Sequence, residues 1–181
     1  MGHSSLVFAP LQIAVLTVSD TRNESTDTSG EYLRLSATEA DHIVVAKKIV
    51  IDDIYQIRAA VSQYIADANI HAVLITGGTG FTSRDSTPEA VQPLLDKQVE
   101  GFGELFRHLS YAEIGTSTIQ SRALAGLANG TIIFCLPGST GACKTAWHGI
   151  IKAQLDGAQG PCNFVPHLAG ALAQPCQSRN L

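Results

Sequence analysis

The sequence predicts an α/β fold, a three-layer α/β/α sandwich on a mostly parallel sheet, and three observations predict it. Short apolar, β-branched runs alternate with helical patterns along the chain. Three of those runs open into turns rich in glycine or hydroxyl side chains. The third observation is bulk: 181 residues, 45% hydrophobic and 15% charged, suit one globular domain with a substantial core. Right-handed crossovers place the carboxyl ends of parallel strands on one side of the sheet, which is where open α/β sheets take their ligands.

Each element has its own warrant. Ile13 to Val18 (IAVLTV) reads as a first buried strand, followed by a polar run, SDTRNESTDTSG, before helix pattern resumes at Tyr32, Leu33 and Leu35. His42 to Ile51 is a second strand, interrupted by Lys47-Lys48. Asp52-Asp53 precedes an amphipathic helix with Ile54, Ile57, Val61, Tyr64, Ile65 and Ala68 on one face. Capping suits Asp53, and since a cap needs one carboxylate, Asp52 is left for another duty. Ala72 to Ile75 is a short buried strand closed by Thr76. After Gly77-Gly78-Thr79-Gly80, Thr87 is expected as the N-cap of a helix from Pro88 to about Lys97. A short helical piece, ELFRHLS, follows Val99 to Glu104. Ile114 to Asn129 is expected to mix hydroxyl residues with a short helix containing Arg122. Thr131 to Leu136 (TIIFCL) is a further strand, and Pro137-Gly138-Ser139-Thr140-Gly141 leads into a helix from about Ala142 to Leu155. The whole of 1–181 is read as one domain, with 1–10 a flexible N terminus and 157–181 an irregular tail punctuated by Pro161, Pro166 and Pro175.

Composition narrows the function. A net charge of −4, with scattered basic residues, argues against nucleic acid or an anionic membrane as partner. No stretch is long and apolar enough to span a bilayer, and the first residues lack the basic region of a secretory signal. Cys135, Cys143, Cys162 and Cys176 form no C-x-x-C pair, which suits neither a zinc ribbon nor a thioredoxin-like site and fits a reduced, cytoplasmic setting.

The stretch AVLITGGTGFTSRDSTPEAV is where chemistry is expected. A glycine-rich turn between a strand end and a helix start can bring backbone N–H groups against an anion. By itself it also reads as a plain βα loop, with Arg84-Asp85 as a solvated ion pair. No lysine follows in the P-loop pattern, and G-x-G-x-x-G is absent after the first strand, so neither familiar nucleotide motif applies. Thr116, Ser117, Thr118 and Ser121 are either caps or donors to an anion, with Arg122 a natural phosphate partner. Asp52 and Asp85 beyond strand ends, together with loop amides, suit a magnesium-bound phosphate chemistry.

ITGGTGFTSRDSTPEAV, VEGFGELFRHLS, TSTIQSRALAG, IIFCLPGSTGACKTAW and the PCNFVPHL tail together resemble the MoaB/Mog family of molybdenum cofactor biosynthesis proteins, over about Ile13 to His167. GGTG followed at fixed spacing by RD, TPE, GFGE and LPG is far more specific than one glycine loop. The resemblance implies a molybdopterin-binding fold and, in active members, adenylyl transfer: the terminal phosphate of molybdopterin attacks the α-phosphate of Mg-ATP, giving adenylyl-molybdopterin and pyrophosphate. Position by position it implies Asp85 and Asp52 as the catalytic, magnesium-linked carboxylates, and Gly77, Gly78, Thr79 and Gly80 as the nucleotide-phosphate loop, with Ser19 and Asp20 on the nucleotide side. It implies Ser110, Ser121, Arg122, Pro137, Gly138 and Ser139 around the pterin and its phosphate. A homotrimer or homohexamer is implied too, with a later-acting molybdenum insertion protein as a further partner. Ile51 stands where adenylyl-transferring relatives have proline, and the LPG turn continues Ser-Thr-Gly. Those departures place the chain in the B-type branch and keep a second reading open, a non-catalytic binding or carrier protein for molybdopterin or its precursor.

Overall fold

The computed structural model describes residues 7–169. Six strands form one sheet: β1 (Gln12–Val18), β2 (Ile43–Val50), β3 (Ala72–Thr76), β4 (Lys97–Gln98), β5 (Leu124–Ala128) and β6 (Thr131–Leu136). Their order is β2-β1-β3-β6-β5-β4. The first four strands of that order run parallel, whereas β5 pairs antiparallel with both β6 and β4. The sheet is therefore mixed, with a parallel half that carries the strand ends and an antiparallel margin.

Alternating side chains of the three central strands, buried throughout except at Gln12, feed two cores. Ile13, Val15, Ala72, Leu74, Ile132 and Phe134 face one side, and Ala14, Leu16, Val73, Ile75, Ile133 and Cys135 face the other. On the first face lie α1 (Thr28–Glu39), α4 (Glu100–Ile114) and α5 (Thr140–Ala146), through Leu33, Phe106 and Cys143 among others. On the second lie α2 (Ile54–Ala66) and α3 (Thr87–Val91), through Ile57, Val61 and Val91. The three-layer arrangement follows.

Several boundaries differ from expectation, each for a local reason. Ser86, not Thr87, is the N-cap residue of α3, and the Thr87 hydroxyl donates to Gly77 O at 2.9 Å. The helix ends at Val91 rather than near Lys97, passing into a 3₁₀ turn over Gln92–Leu94. Pro93 brings no N–H to continue the ladder, and the Arg58 guanidinium donates to the freed carbonyls of Glu89 and Ala90. In the opposite sense, α4 is 15 residues long and includes Gly101 and Gly103, which the sequence reading placed before the helix. Gly103 is a packing glycine: a Cβ there would stand 2.8 Å from Ala123 O.

Arg122 is not helical. Gly115–Gln120 is a 3₁₀ turn and Leu124–Ala128 is a strand, joined to β6 by Asn129 and Gly130 at φ of 48° and 78°. LAGLA has no β-branched residue, so it lacks the usual strand signature, yet the Asn-Gly pair is a strong two-residue hairpin signal. The helix after β6 starts at Thr140, slightly ahead of expectation, with the Ser139 hydroxyl accepting from Ala142 N at 3.2 Å. It continues past Ala146 through a π turn, Trp147–Ile151, to Lys152–Gln154.

At the opposite end of the strands, the chain is fastened by two histidine rings. His42 Nδ1 accepts from Leu11 N at 3.2 Å and His71 Nδ1 from Gln12 N at 2.8 Å. The irregular segment 157–169 packs across the domain through Val165 and Leu168, and Ala169 N donates to Gly130 O at 2.8 Å. The expected flexible start and irregular tail, with Pro175 and Cys176, lie in part outside the described residues. Among the described residues no helix is long and apolar enough to cross a membrane. Cys135 and Cys143 are buried free thiols, and burial pushes the Cys143 thiol up to about 11.

Candidate functional site

A cleft of about 670 Å³ opens where β1, β3 and β6 end. It gathers Ser19, Asp20, Asp52, Gly77, Gly78, Thr79, Gly80, Asp85, Ser110, Ser121, Pro137, Gly138 and Ser139. Every residue expected at a site lines it except Arg122.

The glycine loop is shaped by close approach. Gly77 has φ +103° and a Cβ there would meet Val18 O at 2.1 Å. Gly78 has φ +63°, and its Cβ would meet Thr87 Oγ1 at 2.4 Å and Asp52 Oδ2 at 2.6 Å. Both positions require glycine, by conformation and by space. Gly77 N donates to Leu136 O at 3.0 Å and Thr87 N to Gly78 O at 2.9 Å, so the loop hangs from β6 and from the start of α3.

Three carboxylates, Asp20, Asp52 and Asp85, surround that loop. Asp52 is 8% exposed, and its Oδ1 accepts from Ser86 N at 3.0 Å and Ser86 Oγ at 2.8 Å, leaving Oδ2 toward Gly78. Burial raises its pKa above the ordinary aspartate value, the nearby charges of Asp85 and Asp20 push the same way, and the Ser86 bonds oppose them. Asp85 Oδ2 accepts from Thr82 Oγ1 at 2.6 Å and Thr82 N at 2.9 Å, and the Thr82 hydroxyl is the main cause that lowers its pKa. Asp53 is the cap of α2, accepting from Tyr55 N and Gln56 N.

Arg84 pairs with Asp20 at 2.9 Å, not with Asp85 as the adjacent charges suggested. That guanidinium holds the Asp20 carboxyl below its ordinary pKa, and Asp20 Oδ1 in turn accepts from Asp52 N at 3.0 Å. The polar run after β1 is thereby tied both to the loop and to the end of β2.

Arg122 acts from behind. Its guanidinium donates to Thr79 O, Gly80 O and Asp85 O, pairs with Glu89, and lies 5.2 Å from the Phe81 ring centroid. Its bonds go to the carbonyls of the loop, so in this geometry the cation fixes the loop's shape rather than facing the cleft.

The facing wall is built differently. Buried Ser110 and Phe106 of α4 line it with Glu113, Ser117, Gln120 and Ser121. Thr118 is spent internally, donating to Arg107 O at 3.1 Å. Ser29, in the first turn of α1, joins this side. The N-cap of α1 is Asp27, a buried carboxylate that accepts from Gly30 N at 2.9 Å and Thr17 Oγ1 at 2.8 Å and meets Lys47 Nζ at 3.1 Å. Ser29, Arg22, Arg84, Glu113, Ser117 and Gln120 were missing from the expected site residues. Ser117, in its hydroxyl cluster, and Arg84, in the charged pair with Asp85, had a visible signal.

A cation would find only part of a coordination shell here. Among the described residues no group of three or more His, Cys, Asp or Glu could hold a metal by itself. The free Asp52 Oδ2 and the Asp85 carboxylate beside the loop suit magnesium, which takes one or two carboxylates and completes its shell with phosphate oxygens and water.

Comparison with known proteins fits this architecture. Residues 14–157 match the family model described as "Probable molybdopterin binding domain". The chain is 60% identical over 168 residues to molybdenum cofactor biosynthesis protein B of Escherichia coli (strain K12), covering 93% of this chain and 99% of that protein. A crystal structure of a molybdenum cofactor biosynthesis protein B superposes with a TM-score of 0.79 at 44% identity, over 81% of this chain and 92% of the other. The tungsten cofactor synthesizing protein MoaB of Pyrococcus furiosus gives 0.71 at 38% identity, over 78% and 90%. The chain belongs to the molybdopterin-binding domain family of molybdenum cofactor biosynthesis.

Proposed function

We propose that this chain binds molybdopterin in the cleft and transfers an adenylyl group to it from Mg-ATP. The observation that carries this reading is the convergence of the positive-φ glycine loop with Asp52 and Asp85 in one cleft whose other wall bears hydroxyls. In the reaction a terminal phosphate oxygen of molybdopterin forms a bond to the α-phosphorus of ATP. The bond from that phosphorus to the bridging oxygen breaks, and pyrophosphate leaves with the electron pair. A phosphate monoester is already anionic at neutral pH, so no side chain is needed as a general base. Magnesium held beside Asp52 and Asp85 would supply charge neutralisation at the phosphates.

The protein's own work is placement. The loop amides of Gly78 and Thr79 hold phosphate oxygens, while the Gly77 amide stays on Leu136 O; Ser86 keeps the Asp52 carboxylate turned to the loop, and Thr82 does the same for Asp85. Ser110, Ser121 and the Pro137-Gly138-Ser139 turn hold the pterin and its phosphate. We place the active form as a homotrimer or homohexamer in the cytoplasm, handing its product to a molybdenum insertion protein; sedimentation of the purified chain tests the assembly. The deciding assay for the activity is pyrophosphate release from ATP, with and without molybdopterin and magnesium. Release that needs both supports transfer. Tight molybdopterin binding without release supports the carrier reading instead.

A further inference from the structure

Among the described residues, four carboxylates line the cleft but only two cations, Arg22 and Arg84. Both arginines stand on the side of Asp20. Arg84 donates from Nε to Asp20 Oδ2 at 3.0 Å and from Nη2 to Asp20 Oδ1 at 2.9 Å. A guanidinium has five N–H groups, and Asp20 takes two of them along one edge. The remaining N–H groups, on Nη1 and Nη2, have no protein acceptor among the described residues, so the end of the fork is open. Arg22 lies two residues beyond Asp20 in the loop after β1, where its backbone N–H donates to Ser19 Oγ at 3.1 Å. Its Nη1 donates to Thr26 O at 2.9 Å, and its Nε and Nη2 likewise have no protein acceptor among the described residues. Arg122, by contrast, spends its donors on loop carbonyls.

Two guanidinium forks left open beside an anion-binding loop suit a ligand with several non-reacting phosphate oxygens, because each fork takes a pair of them at once. Pyrophosphate is such a ligand. It bears more negative charge at neutral pH than one magnesium ion offsets, and Asp52 and Asp85 add charge of the same sign. Asp85 also follows Arg84 directly, which puts the cation-holding carboxylate and an open fork on one loop. We propose that Arg22 and Arg84 bind the β- and γ-phosphates of Mg-ATP and hold them as pyrophosphate when the bond to the α-phosphorus breaks. The electron pair of that bond goes to the bridging oxygen, and the guanidinium N–H groups stabilise the charge on the departing group. Both arginines stay protonated throughout. Asp20 keeps the Arg84 fork in place without using its open end. This rests on the Mg-ATP reading of the cleft. It also orients the nucleotide, with the triphosphate running from the glycine loop toward the loop after β1 and away from the α4 wall.

The test is calorimetric titration of the full chain with inorganic pyrophosphate and magnesium, with AMP and molybdopterin as companion ligands. The wild type is expected to bind Mg-pyrophosphate. Arg22→Ala and Arg84→Ala should each weaken that binding by about tenfold or more, as loss of a charge-assisted contact does, and leave AMP and molybdopterin within about threefold. Arg84→Lys keeps the charge without the fork and is expected to fall between wild type and alanine. Lys48→Ala removes an exposed cation of β2 outside the cleft and should leave pyrophosphate affinity unchanged, which separates contact from overall charge. No binding of Mg-pyrophosphate by the wild type, undiminished affinity in both alanine variants, or an equal loss in Lys48→Ala overturns the inference. A matching loss of molybdopterin affinity overturns it too, since the arginines would then serve the pterin's phosphate. Pyrophosphate held by these residues with no transfer of AMP would overturn the transferase reading alone.

Discussion

The two walls of the cleft hold their polar groups in opposite ways. On the glycine-loop wall each carboxylate is fixed by N–H donors or by Arg84, and the loop carbonyls are fixed from behind by Arg122. On the α4 wall, Ser117, Gln120 and Ser121 line the cleft through neutral side chains, and Glu113 shares a single hydroxyl donor. A wall whose charges are held rigid before the ligand arrives suits phosphates, where stabilisation depends on donors and charges that need not reorganise. A wall of neutral hydroxyl and amide side chains suits an uncharged ring. On the proposed reading, the difference divides charge handling and ring binding between opposite helix layers of one fold.

The largest effect expected on that division comes from Gly78→Ala. A methyl group there is opposed by φ +63° and by Thr87 Oγ1 at 2.4 Å, so transfer should fall by at least about 10²-fold, read as pyrophosphate release, with pterin affinity much less changed. Next is Arg122→Ala. Loss of donors to Thr79 O, Gly80 O and Asp85 O should lower the turnover number more than it raises the Michaelis constant for the pterin, and cost about 2 kcal/mol in chemical denaturation. Equal loss on both walls would break the comparison.

A smaller effect concerns acid. Asp52 must be ionised to meet a cation, and burial raises its pKa, so the acid limb of kcat/KM should lie above that of an ordinary aspartate. Ser86→Ala removes the hydroxyl bond that lowers the pKa, leaving the backbone N–H bond, and should move the limb further up. Asp85→Asn removes a charge that raises it and should move any residual limb down.

The smallest lies far from both walls. His42 and His71 each accept a backbone N–H through Nδ1, and burial lowers both pKa values. The folded state thus favours the neutral rings. The stability they contribute should be fully present above the ordinary histidine value and fall as pH drops through it toward the lower folded-state values. Urea midpoints measured from pH 8 down to pH 5 check this, and the loss should leave the cleft's ligand preferences intact while the protein stays folded.

The walls also differ in how far the sequence exposes them. IAVLTV, AVLIT and TIIFCL are short β-branched runs, and glycines or hydroxyls end each one, so the strand ends and the glycine-loop wall are legible in the sequence. Asp53 as the cap of α2 was legible for the same reason, a carboxylate directly before an amphipathic run. The α4 wall was obscured. Gly101 and Gly103 read as helix breaks, although Gly103 is demanded by the approach of Ala123 O. LAGLA reads as helix by propensity and becomes a strand because β6 and the Asn129-Gly130 turn impose it. Partners distant in sequence were invisible altogether: nothing local tells that Arg84 pairs with Asp20, or that Arg122 turns its donors to the loop carbonyls.

The division of labour is tested most directly on Asp85→Ala, by following transfer of labelled AMP from Mg-ATP to molybdopterin alongside molybdopterin affinity on the same sample. The carboxylate is fixed on the glycine-loop wall by Thr82 and has no part in the α4 wall. Transfer should fall by about 10²-fold or more while molybdopterin affinity stays within about threefold of the wild type. Unchanged transfer, or equal loss of transfer and binding in a variant that is still folded, would contradict it.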